Sequence, residues 1–147
     1  MTRRGKISVK QLVLFILLIT GIVFLAKCTI GYIAGAFGSV SAEKAADFLK
    51  GWGWEVDADK VFTEEITIPK DFSEVYERYN AIQLKQGYDL TKYRSEKVVK
   101  YTFVVKNYKG FEHVEAHVLT WGGRIIGGDL CSTELNGFMT GFDGETS

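Results

Sequence analysis

From Gln11 to Ala26 the chain reads QLVLFILLITGIVFLA, without a single charge. Lys10 and Lys27 flank this run, and their long stems can carry the ammonium groups out to water, so residues 7–28 can span a bilayer. At about 1.5 Å per residue, about 20 residues cross a hydrocarbon core of roughly 30 Å. Arg3, Arg4, Lys6 and Lys10 precede the run, and a basic flank of this kind stays on the cytoplasmic side. The sequence therefore predicts a single-pass signal anchor, with its N-terminus in the cytoplasm and all that follows outside. A buried helix of a soluble core has no reason to follow such a basic end.

The rival reading is a cleaved signal peptide, which shares the basic and apolar regions. Ala34-Gly35-Ala36 supplies a small-x-small site, so the alternative is secretion after cleavage near Ala36. The stretch from Lys27 to Ala36 is long for a cleavage region, which favours the anchor. A lipid anchor on Cys28 is disfavoured by Lys27, which stands where a small residue is needed. The Gly- and Ala-rich stretch 30–40 reads as a short spacer. Two parts result: residues 1–40, with basic end, anchor and spacer, and an extracytoplasmic domain over residues 41–147.

Charge follows the same division. Of the 18 Lys and Arg, five fall in residues 1–40, which hold no acid; the other 13 share residues 41–147 with all 18 Asp and Glu. A mildly acidic domain excludes a nucleic-acid partner, which needs a basic face. The domain holds all three Trp and one proline, Pro69, a folding composition with room for one core.

Ser41 is placed to cap a helix over AEKAADFLK, with Ala42, Ala45, Phe48 and Leu49 on one face and Gly51 as its left-handed end. Val61 to Ile68 reads as a strand, hairpinned with Trp54 to Val56. After Pro69, Asp71 and Glu74 form a capping box. Phe72, Val75, Tyr76, Tyr79 and Ile82 then recur at helical spacing as a core stripe, and Gly87 closes the helix. Three strands follow. The first, Lys97 to Asn107, aligns Val99, Tyr101, Phe103 and Val105; the second, Phe111 to Trp121, aligns Val114, Ala116 and Val118. A Gly122-Gly123 hairpin leads into the third, Arg124 to Cys131, and Phe138, Met139 and Phe142 fold back onto the sheet. The expected fold is α+β: two helices packed on one face of an antiparallel sheet of about four strands.

Three segments carry a family resemblance: FLKGWGWEVD, VYERYNAIQLKQGYDLTKYRSEKVVKYTF and GGRIIGGDLCSTELNGFMTGF. Together they resemble the uncharacterised bacterial family known as domain of unknown function 4830, over most of residues 45–142. The resemblance implies a membrane-anchored or secreted bacterial protein of one-domain architecture. It implies no activity and carries over no catalytic residue.

The one constellation with ligand chemistry is His113, Glu115 and His117, which share a strand face. Two imidazoles and a carboxylate suit zinc with an open water position. On a flat strand the two His stand about 13 Å apart, so a shared ion needs a bulge; otherwise the three form a solvated face. Gly127, Gly128 and Asp129 can bring backbone close to a ligand, although paired glycines in a strand also mark bulges and tight packing. Trp121, with Trp52, Trp54, Tyr88 and Tyr93, can form an aromatic patch or pack in the core. Cys131 has no C-x-x-C partner and no His close in sequence, and both cysteines are expected to be unpaired. No serine has the context of a nucleophile, and no cofactor motif is present. The expected function is a non-enzymatic interaction module that contacts an envelope protein or polymer. The alternative is a small metal-dependent enzyme using His113, Glu115 and His117.

Overall fold

The computed structural model describes residues 39–145. The expected anchor at residues 7–28, Cys28 and the Ala36 cleavage site lie outside them. Among the described residues no helix is long and apolar enough to cross a membrane.

The first helix, α1 (Ala42–Gly51), begins where Ser41 Oγ accepts the Lys44 N–H at 3.3 Å. It buries Ala45, Ala46 and Leu49, with Ala42 and Phe48 packed beside them, as its apolar spacing predicts. Its left-handed terminator is Gly53 (φ 91°), not Gly51, which is still helical. The Trp54 N–H returns to the Leu49 carbonyl and the Gly53 N–H to that of Lys50, so two orphan carbonyls are satisfied. The core also takes in Val40, whose carbonyl accepts the Tyr101 hydroxyl at 2.6 Å.

Strand β1 (Phe62–Thr67) pairs with β2 (Lys97–Val105), not with Trp54–Val56. The Trp54–Val56 segment stays irregular because Asn107 clamps it: its side chain accepts the Glu55 N–H and donates to the Gly53 carbonyl. The second helix, α2 (Glu74–Lys85), starts at Ser73 instead of Asp71. Ser73 Oγ accepts the Tyr76 N–H at 3.3 Å, so a hydroxyl three residues before a helical N–H outcompetes the D-x-x-E pair. Gln86 caps the far end and Gly87 (φ 83°) closes it, as expected.

β3 (Val114–Trp121) and β4 (Arg124–Ser132) are joined by Gly122-Gly123, both at positive φ, as the two-residue turn requires. The tail returns as β5 (Met139–Thr140) against β4. The sheet is therefore five strands in the order β1-β2-β3-β4-β5, all antiparallel, one more than expected.

The helices lie on opposite faces of this sheet, which corrects the one-face expectation. Alternate residues of a strand face opposite ways. Tyr101, Phe103, Val105, Val114, Ala116, Val118 and Leu130 join the α1 cluster, which Phe142 completes. Val98, Leu119 and Ile126 join a second cluster with Ile68 and Leu90, against which Phe72, Tyr76 and Tyr79 of the α2 region pack. Adjacent apolar pairs, Val98-Val99 and Val118-Leu119, mark strands covered on both sides.

The α2 stripe is rotated from its predicted setting. Val75 is 75 % exposed, and the fully buried positions are polar, Asn80 and Gln83. Each is held by backbone: Asn80 Oδ1 accepts the Leu90 N–H at 2.8 Å, and Gln83 Oε1 accepts the Gly128 N–H at 2.8 Å.

Candidate functional site

The polar groups that converge do so on the α2 face of β3 and β4. Glu115 lies opposite Cys131, and His117 opposite Asp129. Directly paired residues share a face, so all four side chains form one patch. A β-bulge makes this pairing. The ladder shifts register between Leu119 and Thr120, and Ile126 is the extra residue on β4.

His117 Nδ1 lies 2.9 Å from Asp129 Oδ2, and Tyr79 of α2 donates its hydroxyl to Asp129 Oδ1 at 2.8 Å. His117 Nε2 faces Glu115 Oε2 at 3.5 Å. Cys131 Sγ stands 3.9 Å from His117 Nδ1. Asp129 is only 2 % exposed, so its charge has to be met inside the protein. Burial works against the imidazolium, but the Asp129 hydrogen bond, the Cys131 contact and the Asp129 charge outweigh it, and the His117 pKa is pushed up to about 10. Burial, followed by the Asp129 charge, pushes the Tyr79 phenol well above its ordinary value, so it stays a donor.

The arrangement is not that of a catalytic Cys–His–Asp relay. A Cys–His–Asp relay needs nucleophile and carboxylate on opposite ring nitrogens. Here Cys131 and Asp129 both approach Nδ1, and Nε2 is turned to Glu115. The group does have ligand character. Glu115, His117 and Cys131 each bring one donor atom within 4.8 Å of the others.

His113 stands apart from this group. It precedes β3, is exposed, and its N–H, like that of Glu112, donates to Glu134 Oε1 at 2.7 Å. Gly127 serves a close approach of α2 to the sheet, and Gly128 a close approach of β4 to the β3 backbone and to Phe142 on the other face. A Cβ at Gly127 would fall 2.6 Å from Gln83 Oε1, and one at Gly128 would fall 2.0 Å from the His117 carbonyl oxygen. Gln86 Nε2 also donates to the Gly128 carbonyl at 3.0 Å. Gln83 Nε2 is buried without a hydrogen-bond partner among the described residues, and nothing in the structure explains it.

Trp121 is half-buried against Tyr93, with Nε1 donating to Glu96 Oε2 at 3.2 Å. Trp54 stacks on Tyr108 and donates Nε1 to the Phe142 carbonyl; Tyr88 meets Phe142 edge-on. Among these five aromatics, Trp52 keeps the exposed face, at 48 %. The sequence reading missed Tyr79 and Cys131 as members of the site, since neither lies near His117 along the chain. Cys131 makes no disulfide among the described residues.

The family described as Domain of unknown function (DUF4830) matches residues 48–130. The chain belongs to this family. The DUF4830 match runs from Phe48 in α1 to Leu130 in β4, and so contains Tyr79, Glu115, His117 and Asp129, with Cys131 just after it. No curated protein matches the chain, and no solved structure does.

Proposed function

We propose that this chain is a membrane-anchored domain displayed outside the cytoplasm, a non-enzymatic binding or interaction module of the bacterial cell envelope. The structural observation that carries the non-enzymatic part is the way its polar groups pair, which forms no catalytic relay. Both Asp129 oxygens are taken, by Tyr79 and His117, and the thiol shares the nitrogen that Asp129 already holds. Anchoring is supported by the charge-free run Gln11 to Ala26 behind four basic residues. A binding role is supported by a largely apolar groove between α2 and β5, lined by Val75, Tyr76, Arg78, Tyr79, Ile82 and Met139.

The test of topology uses Leu135, which is 94 % exposed. In a Leu135→Cys variant, a membrane-impermeant maleimide added to intact cells labels the chain in the membrane fraction, over the background of the parent chain. Labelling only after lysis overturns the proposed side of the membrane. Labelled chain in the medium supports cleavage near Ala36 instead.

The alternative, a small metal-dependent enzyme using His113, Glu115 and His117, has one supporting observation: Glu115 and His117 converge with Cys131. His113 stands outside that convergence, which leaves the enzyme reading second.

A further inference from the structure

Three different ligand chemistries meet on the α2 face. Glu115 offers a carboxylate oxygen, His117 an imidazole nitrogen and Cys131 a sulfur, all within 4.8 Å of one another. Thiolate, imidazole and carboxylate are the donor types of zinc-class sites. Strand pairing fixes their backbones: Glu115 faces Cys131 directly, and His117 is two residues along the same strand.

The surroundings of His117 match what a metal-bound imidazole requires. Such a ring binds through one nitrogen and donates its other N–H to a fixed acceptor. His117 presents Nε2 to Glu115 at 3.5 Å and keeps Nδ1 on Asp129 at 2.9 Å. Asp129 is itself pinned by the Tyr79 hydroxyl at 2.8 Å. The strand face therefore holds a buried carboxylate that fixes the ring, and a second, partly exposed carboxylate beside the ring's other nitrogen. The Cys131 sulfur, 3.9 Å from Nδ1, is the donor that must move to reach an ion on Nε2.

We propose that Glu115, His117 and Cys131 form a binding site for a divalent transition metal of the zinc class, with Asp129 and Tyr79 as positioning residues. Uptake replaces the thiol proton of Cys131 and the Nε2 proton of His117 with bonds to the ion, and both protons go to solvent. Three protein donors would leave a fourth tetrahedral position for water or another ligand. The inference is independent of the tethered-module reading, because a metal here suits a binding domain and an enzyme alike.

The test uses the full chain in detergent, stripped with a chelator and titrated with Co²⁺, then with Zn²⁺ in competition. The expected result is a thiolate-to-cobalt charge-transfer band that saturates at one ion per chain and is abolished by Zn²⁺. Cys131→Ser removes the band. Glu115→Gln and His117→Ala weaken binding by at least about 10-fold, and Asp129→Asn by about 10–100-fold. Cys28→Ser and His113→Ala leave it unchanged.

Where His117→Ala fails to fold, His117→Gln keeps an N–H donor for Asp129 and carries the same expectation. Absence of the band in the parent chain overturns the proposal. So does a band that survives Cys131→Ser, which would place the thiolate at Cys28, or binding unmoved by Glu115→Gln or either His117 variant.

Discussion

The two faces of the sheet are built on different principles. The α1 face is built mainly of apolar side chains, with the small hydroxyls of Thr120, Ser132 and Thr140 buried among them, and aromatic rings fill it: Phe142 meets Phe48 edge-on at 5.0 Å, and Tyr108 stacks between Trp54 and Phe138. The α2 face has a smaller apolar cluster and buries polar side chains beside it, namely Asn80, Gln83 and Asp129. Packing over area stabilises the first without regard to direction. The second depends on named hydrogen bonds, each costly to leave unmade. The same sheet thus carries a face that sets stability and a face that sets geometry.

The contrast can be broken most forcefully at Phe142. Phe142→Ala removes the ring that completes the α1 cluster and is expected to cost about 3–5 kcal/mol, read from the midpoint of chemical unfolding. A loss under about 1 kcal/mol would mean that the tail does not seal this face.

Next comes the pH dependence of the α2 face, measured on metal-free protein. His117 is raised from 6.5 to about 10 by a partner present only in the folded state. Its stabilisation is therefore complete below about pH 6.5 and is lost as pH rises through about 10. Asp129→Asn should lower the melting temperature most at neutral pH, by the equivalent of about 1.5–3 kcal/mol, with the gap to the parent closing toward pH 10. A gap that does not change with pH would place the ion pair outside the energetics of this face. Glu115 and Cys131 face the same ring and Tyr79 bonds its Asp129 partner, so the Asp129→Asn difference, not the parent profile alone, is the quantity to read.

Gly127→Ala sharpens the geometric side. Its Cβ meets the Gln83 oxygen that holds the Gly128 N–H, at a φ of 157° that side chains rarely adopt, and the expected cost is about 1–3 kcal/mol by thermal unfolding. The smallest effect belongs to Val75→Ala. The rotated stripe leaves Val75 in solvent, so stability should stay within about 0.5 kcal/mol. A loss above about 1.5 kcal/mol would restore the core stripe read from sequence.

Much of the strand framework was legible in the sequence, because period-two patterns survive whatever packs on them. Val99 to Val105, Val114 to Val118 and the Gly122-Gly123 turn all stand where the alternation and turn chemistry place them. The Ser41 cap was legible as a local signal with one physical outcome, and the return of Phe142 as an apolar residue that has to find cover.

What failed was non-local. Nothing near Phe72 or Val75 states that α2 will sit on paired glycines, where Gln83 can reach backbone and an apolar residue cannot bond it. The site was hidden by the bulge. A regular hairpin about Gly122-Gly123 would set His117 opposite Gly128 and send Asp129 to the other face. One extra residue, Ile126, brings Asp129 and Cys131 round to His117 and Glu115. His113 and His117 share a parity, but β3 begins only at Val114, so the shared face of a strand never reaches His113.

Phe142 lies late in the chain, and three distant segments converge on it. Its ring meets Phe48, its carbonyl accepts the Trp54 indole, and its N–H donates to the Gln86 side chain. A nascent chain that stops short of residue 142 has the strands and both helices but an unsealed aromatic face. Completion of the domain therefore cannot precede the emergence of this one residue, however early the earlier elements form.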